Sequence, residues 1–552
     1  MLNFIIGRNN SGKTEKIRAL IAERASENKK CILIVPEQFS FESERSILEK
    51  IGAQKMLNVD ILSFTRLAFV INEQYGKALN KTIDDGTRKV LMSLSLEALS
   101  GKLEYFKRFS SKPALLSNLL TFVTELKQCA VTPDEIAEIS GKTGNKSLGK
   151  KLSELSLIAA SYDALVSRSF FDDENLLTIA ADMISETDFF DGKAVYFDAF
   201  CGFTKQERNC IKSILPKAEN VFISLCTDRD LSREGVSVFE NVNSEFSHLK
   251  ECAAEQNVGV SSPEILNVKE DGRSPELVYL EKYLCGEESE PYKEECDNIV
   301  VCAAGNRADE ADFVACEIKK LLRCNPTLRC RNIAVIERTA GTYDKELSES
   351  FKKYGVPMFE DKRRPIGIQP VMVFVKCLLA LCAEGFSTES FMRLLKTGLT
   401  ALSGVEISEL ENYAFLWNID GSKWRRDFTE NPDGLGFDVT EKSQEKLIRL
   451  NDIRKRSVLP VLAFKKDFEE ADGEKKSRLI YEFLIKNGVT ERLREKIEYL
   501  VSSGDTVLCE EQDTVWATLM DMLGKMASAI GETVITAKRY SELFNIQLSA
   551  VT

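Results

Sequence analysis

The chain opens on a short apolar run, Leu2-Asn3-Phe4-Ile5-Ile6, that stops at Gly7. Comparable runs follow at residues 31–35, stopped by Pro36, and at residues 59–62. Between them, residues 13–25 and 41–51 carry helical patterning, and Leu67, Val70 and Ile71 mark an amphipathic helix after the third run. Short, largely apolar runs alternating with helices predict a parallel sheet covered on both faces. From about residue 84 the period changes. Leu91, Leu94, Leu96 and Leu99, then Leu115, Leu116, Leu119 and Leu120, recur at helical spacing with no strand-like run between them. The alternation returns with a strand at 194–197, a helix at 205–214 and a strand at 221–225. Residues 228–297 are polar and acidic and read as loops and a connector. A second unit follows, with strands expected at 298–302 and 333–336 and helices at 309–322 and up to Tyr354, where Gly355 fits a C-cap. From about Val371 the pattern is helical to the end, and the mixed-sign charge at 442–496 reads as a solvated face.

The expected organisation is an α/β fold with two helical insertions. Residues 1–85 with 189–285 form a first α/β unit, and 86–188 its helical insertion. Residues 296–382 begin a second α/β unit, and 383–552 are its helical insertion.

At 552 residues the chain exceeds what one core accommodates. No apolar run reaches the ~18–20 residues of a membrane span, and the start is too short and too poor in basic residues for a signal peptide. A cytoplasmic protein without membrane contact is expected. Fifteen cysteines occur without a Cys-x-x-Cys pair, and Cys31, Cys377 and Cys382 lie in apolar runs, the setting of buried thiols in a reducing compartment. Cys324 and Cys330 have no second pair at zinc-site spacing. The single histidine, His248, sits in a polar stretch and reads as a surface residue, so histidine-based nucleophilic catalysis is set aside. A net charge of −12 excludes a uniformly basic DNA-binding surface but not a local basic channel.

One motif carries specific chemistry. Gly7-Arg8-Asn9-Asn10-Ser11-Gly12-Lys13-Thr14 matches G-x-x-x-x-G-K-[ST] at every fixed position, between a strand and a helix. Its glycines let backbone N–H groups turn toward phosphate oxygens, and the helix adds its positive end. Lys13 would reach the terminal phosphates, and the Thr14 hydroxyl would hold Mg²⁺. Asp198, after four apolar residues at 194–197, has the form of a carboxylate supporting that Mg²⁺. The next residue is Ala199, where many such motors carry a water-activating Glu. The strand at 221–225 leads into Cys226-Thr227-Asp228, with no Gln to sense a γ-phosphate. Such a site binds Mg-ATP and is expected to hydrolyse it slowly, since a positioned base contributes roughly 10²–10⁴-fold.

The layout resembles UvrD/Rep-type superfamily 1 helicases. Within that group it is similar to AddB, the B subunits of bacterial ATP-dependent helicase/deoxyribonucleases. The resemblance lies in residues 7–14, Val35-Pro36-Glu37-Gln38-Phe39-Ser40 and Ile61-Leu62-Ser63-Phe64-Thr65-Arg66-Leu67. It continues in residues 196–204 with Gln206-Glu207, 306–310, 333–338, Tyr354-Gly355-Val356-Pro357 and Asp361-Lys362-Arg363-Arg364-Pro365. It implies a heterodimer with an AddA-type helicase-nuclease, and processing of DNA double-strand ends for recombination with recognition of a short regulatory sequence. It also implies that Arg338 approaches the γ-phosphate from the second domain, the alternative being a surface Arg after a strand. Family members are about twice as long. Their nuclease domain and most ligands of a [4Fe–4S] cluster are expected beyond this sequence, so a fragment, or a chain without the nuclease, is expected. No cluster ligand set is identifiable here.

For DNA, Ser63, Phe64 and Arg66 follow the third strand, where related motors touch the strand; ordinary strand–helix packing is the alternative. Trp417, Trp424, Arg425, Arg426 and Phe428 form an aromatic–basic cluster suited to single strands, with core packing the alternative for the tryptophans. Three functions stay open: an ATP-binding, weakly catalytic subunit of a DNA-end-processing heterodimer; an autonomous DNA-stimulated ATPase or translocase; and a partner-binding module with a vestigial phosphate loop.

Overall fold

A computed structural model describes residues 1–76, 83–107, 112–170, 172–228, 238–267, 272–283, 290–360, 365–504 and 506–551. The Asp361–Arg364 part of the resemblance (residues 361–364) lies outside the described residues. Six strands form one parallel sheet: β1 (Leu2–Gly7), β2 (Cys31–Ile34), β3 (Val59–Leu62), β4 (Ala194–Phe197), β5 (Asn220–Cys226) and β6 (Glu264–Ile265). Their order is β3-β2-β4-β5-β1-β6.

Successive side chains of each strand feed opposite faces. Leu2, Phe4 and Ile6 of β1 join Val195 and Phe197 of β4 under helices that include Phe64–Tyr75, Lys205–Ile214 and Glu240–Glu255. Ile5, with Cys31, Leu33 and Tyr196, faces Ile17, Ile21 and Ile47 of helices Lys13–Ser26 and Ser40–Ile51. Both faces are covered, as the apolar runs implied.

The helical segments are less separate than their sequence positions suggest. Helices Asp85–Ala98, Pro113–Gln128 and Lys146–Ser169 share one continuous core with the helices between Pro370 and Leu548. Helix Asp173–Glu186 instead packs on the sheet through Leu176, Ala180 and Ile184. The region read as connector holds two helices, Glu240–Glu255 and Pro275–Tyr283. The first was signalled by Val242, Phe246, Leu249 and Ala253, all buried and at helical spacing.

The strands expected at 298–302 and 333–336 are not formed; among the described residues neither segment has a ladder partner. Val301 is 92% and Ile336 91% exposed. β-branched residues hold a strand only where a neighbour accepts their backbone groups and packs their side chains. Here helices Arg307–Cys324 and Asp344–Tyr354 pack on each other through Ala315, Ile318 and Phe351, and Ile333, Ala334 and Val335 of the second segment border an open cavity of about 810 Å³. Gly355 adopts φ 65° and closes the second helix, as its position predicted. No described helix is long and apolar enough to cross a membrane. Cys31, Cys377 and Cys382 are buried free thiols, and His248 is exposed.

Asp84 ties the helical segments together. Its Oδ1 accepts from Thr87 N at 2.7 Å, capping helix Asp85–Ala98, and its Oδ2 accepts from Lys525 Nζ at 2.6 Å. Burial works to raise its pKa, but the bonds from Lys525 and Thr87 outweigh it and hold the carboxyl below its ordinary value. A depressed pKa contributes stability above the unfolded value of ~3.9 that is lost as pH falls through the folded value. Asp84→Ala is expected to destabilise helices Asp85–Ala98 and Thr506–Ile530, the latter carrying Lys525, by about 2 kcal/mol, a cap plus a partly buried pair. Amide hydrogen exchange at neutral pH checks it, and the difference from wild type should shrink below about pH 4.

Candidate nucleotide site

Because all six strands run parallel, their C-terminal ends lie along one edge of the sheet. The chain passes from β1 to β2 and β3, then returns to place β4 and β5 between β2 and β1. Reversal of strand order opens a crevice at the C-terminal edge, where ligands of open α/β sheets bind.

β1 delivers the phosphate loop to this crevice. A Cβ on Gly7 would lie 2.4 Å from Ser11 Oγ and 2.9 Å from the Leu266 carbonyl, so only glycine fits. Gly12 adopts φ 86°, the left-handed turn into helix Lys13–Ser26, and offers that helix no side-chain cap. The first-turn N–H groups are therefore open to an anion. Lys13 Nζ donates to the carbonyls of Gly7 and Arg8, each at 2.8 Å, and lies 3.5 Å from Ser11 Oγ. Asn9 and Asn10 are exposed at the tip, and Thr14 is half-buried in the first helical turn. Arg8 turns away toward helix Pro275–Tyr283, with Nε 3.2 Å from Glu281 Oε1 and an Nη2 bond of 2.9 Å to the Glu281 carbonyl.

Asp198 follows β4 and is 5% exposed. Its N–H donates to Ile34 O of β2 at 3.1 Å, and its Oδ1 accepts from Ser224 Oγ at 2.5 Å. Ser224 sits on β5, in register with Ile5. Among the described residues no Lys or Arg pairs with Asp198, although a buried carboxylate without a counter-charge is costly. Ala199 is exposed at φ 66°, an unusual conformation for a residue with a Cβ. Thr227, just past β5, is fully buried and donates to Asn243 Oδ1 at 2.5 Å.

Other sequence-derived positions fall elsewhere. Ser63 caps helix Phe64–Tyr75 by accepting from Arg66 N at 3.2 Å. Phe64 is buried in a ring cluster with Phe197, Phe200 and Phe203, at centroid distances of 5.8, 5.5 and 6.1 Å. Arg66 is exposed, 3.5 Å from Glu44. Trp424 is fully buried, edge-on to Phe391 at 4.9 Å, with Nε1 donating to Thr388 Oγ1. Its indole is therefore a core element with no face free for a base, which corrects the aromatic–basic surface expected there. Arg425 and Arg426 remain exposed. Arg338 is exposed and makes no described hydrogen bond or ion pair with residues 7–14. No described group of three or more His, Cys, Asp or Glu side chains is placed to hold a metal ion.

Sequence reading missed Ser224 and Glu281. Ser224 had a signal, a lone hydroxyl in an apolar strand. Glu281 had none that distinguished it within an acidic connector.

A family model described as "ADDB, N-terminal" matches residues 4–281, from within β1 to within helix Pro275–Tyr283. The chain belongs to the AddB family. Curated proteins named as the B subunit of an ATP-dependent helicase/deoxyribonuclease align along nearly all of it. The protein from Acetivibrio thermocellus is 29% identical over 561 residues, covering 99% of this chain and 48% of the relative. That from Clostridium acetobutylicum is 28% identical over 555 residues, with 99% and 48% covered. That from a Thermoanaerobacter species is 28% identical over 560 residues, with 100% and 48% covered. The chain thus spans about half the length of these AddB relatives.

The left-handed Ala199 generates a stability prediction. Ala199→Gly removes a Cβ penalty of roughly 1–2 kcal/mol and costs part of it back in unfolded-chain entropy. A net gain of about 0.5–1 kcal/mol is expected from those two terms, read by hydrogen exchange of the sheet amides. A loss of stability would show that the Ala199 methyl is held by contacts.

Proposed function

We propose that this chain is an ATP-binding, helicase-like part of a cytoplasmic heterodimeric helicase-nuclease that processes DNA double-strand ends for recombinational repair, and that its own motor is weak or inactive. The names of the family relatives support the helicase-nuclease assignment. The observation that carries the nucleotide site is the buried Asp198 carboxylate, without a cationic partner among the described residues, two strands from a loop that matches the phosphate-binding motif at every fixed position.

In this reading residues 1–85 with 189–285 are a superfamily 1-type P-loop domain, and 296–382 begin a second domain, whose described residues form helices and extended segments without strands. The loop N–H groups of residues 8–14 cradle the phosphates, and Lys13 exchanges its two carbonyl acceptors for phosphate oxygens. The residues fit a Mg²⁺ ion that arrives with the nucleotide. Thr14 Oγ1 and Asp198 would hold it, with Ser224 fixing the Asp198 carboxylate, and bound Mg²⁺ would neutralise phosphate charge. Ala199 supplies no base to draw a proton from water, so turnover is slow. Arg338 would complete the γ-phosphate contacts from the second unit. The partner is an AddA-type subunit, and DNA contacts would use the exposed Arg66 beyond β3, which the buried Ser63 cap positions, with Arg425 and Arg426 on the helical unit. A [4Fe–4S] cluster would belong to the parts of longer relatives outside this alignment.

Lys13→Ala is expected to weaken Mg-ATP binding at least about tenfold, the worth of one charge-assisted hydrogen bond or more. Wild-type turnover should stay roughly 100-fold or more below that of a motor with a positioned base, with or without single-stranded DNA. Calorimetry and a phosphate-release assay measure both. Rapid, DNA-stimulated, Lys13-dependent turnover would make the chain a motor in its own right; absence of nucleotide binding would leave a partner-binding module.

A further inference from the structure

Arg8 occupies a position of the phosphate loop that the motif leaves free, and it does not point at the phosphate cradle. Its guanidinium reaches both the carboxylate and the main-chain carbonyl of Glu281, and sits 5.5 Å from the Phe239 ring centre. Glu281 lies in the last turn of helix Pro275–Tyr283, where carbonyls have no partner inside the helix. Arg8 therefore caps that helix and complements the negative end of its dipole. The pair is largely shielded, with side-chain exposures of 20% and 22%. The Arg8 carbonyl meanwhile accepts from Lys13 Nζ. One residue thus links the loop lysine to the helix that leads out of the sheet unit.

We propose that Arg8 and Glu281 form a nucleotide-sensitive latch. This rests on the nucleotide site proposed above. A polyphosphate in the loop draws Lys13 off the Arg8 carbonyl and brings several negative charges close to the guanidinium. Those charges compete with the single charge of Glu281 for Arg8, and they repel Glu281 itself. Arg8 turns to the phosphates, and helix Pro275–Tyr283 loses its cap and loosens. Linkage makes the coupling reciprocal: whatever frees Arg8 from Glu281 tightens nucleotide binding by the same factor.

The test uses the whole 552-residue chain, with Mg-ATP and its non-hydrolysable analogue as probes, in wild type, Glu281→Gln and Arg8→Gln. Affinity is measured by calorimetry, and exchange of the amides at 275–283 by mass spectrometry. In wild type the probe should speed exchange in that helix. Glu281→Gln should bind the probe about two- to fivefold more tightly, the scale of a partly exposed ion pair, with less effect at high salt. Arg8→Gln should bind more weakly, with helix exchange already fast and insensitive to the probe. A merely structural cap would leave the affinity of Glu281→Gln unchanged. Wild-type binding with unchanged or slowed helix exchange, or with no gain in Glu281→Gln, overturns the latch and leaves the nucleotide site standing. Failure of wild type to bind either probe overturns both.

Discussion

The candidate site depends on the placement of one strand between two others. β5 pairs with both β1 and β4, so the phosphate loop and Asp198 emerge two strand spacings apart, about 10 Å at ~4.8 Å per strand. That gap admits a phosphate group with its metal, whereas adjacent strands would bring the carboxylate against the loop. β5 also supplies Ser224, whose hydroxyl holds Asp198 Oδ1 from the side. The same strand that sets the spacing therefore orients the carboxylate, and its far end is anchored by the buried Thr227–Asn243 bond. The placement of residues 7–14 and of the Asp198 carboxylate at one edge follows from the return of the chain into the middle of the sheet.

The return is made through a helical excursion that does not stand alone. Helix Asp85–Ala98 packs into the same core as the C-terminal helices, with Asp84 on Lys525, Glu97 on Arg539 and Gly86 against Gln547. A Cβ on Gly86 would come within 2.9 Å of the Gln547 carbonyl, which shows how closely the two segments approach. At the junction with the sheet, Lys127 pairs with Asp163 and with the nearly inaccessible Asp172, while Arg88 pairs with Glu174. Lys127, Arg88 and Asp172 are well shielded while Asp163 and Glu174 are partly exposed, and removing one partner of a shielded pair such as Lys127–Asp172 leaves an uncompensated charge. The sheet thus reaches the large helical core through an ionic joint rather than an apolar one.

The first α/β unit was legible because its strands are apolar on both faces, a pattern that few other arrangements satisfy. The candidate phosphate loop could be picked out for a local reason: its glycines, lysine and threonine sit at fixed offsets within eight residues. Ser224 and Glu281 were not read, because their roles arise from residues 26 and 273 positions away in the chain. Trp424 and Phe64 are a different case. Trp424 stands in an aromatic–basic cluster and Phe64 after the third strand, where related motors touch DNA; for both, packing was the alternative, and both joined cores, as the large apolar area of aromatic side chains favours. The runs at 298–302 and 333–336 have strand-like side chains, yet a strand is a property of pairs, and no described segment pairs with them. The merging of the two helical segments has no sequence signal at all, since each is amphipathic in its own right.

The most direct measurement is a crystal structure of this chain grown with Mg²⁺ and a non-hydrolysable ATP analogue. The account predicts phosphate density within residues 7–14, Lys13 Nζ moved from the Gly7 and Arg8 carbonyls to phosphate oxygens, and a metal between Thr14 and Asp198. A loop that keeps its Lys13 bonds with no nucleotide against it, or a nucleotide bound away from Asp198, would contradict it.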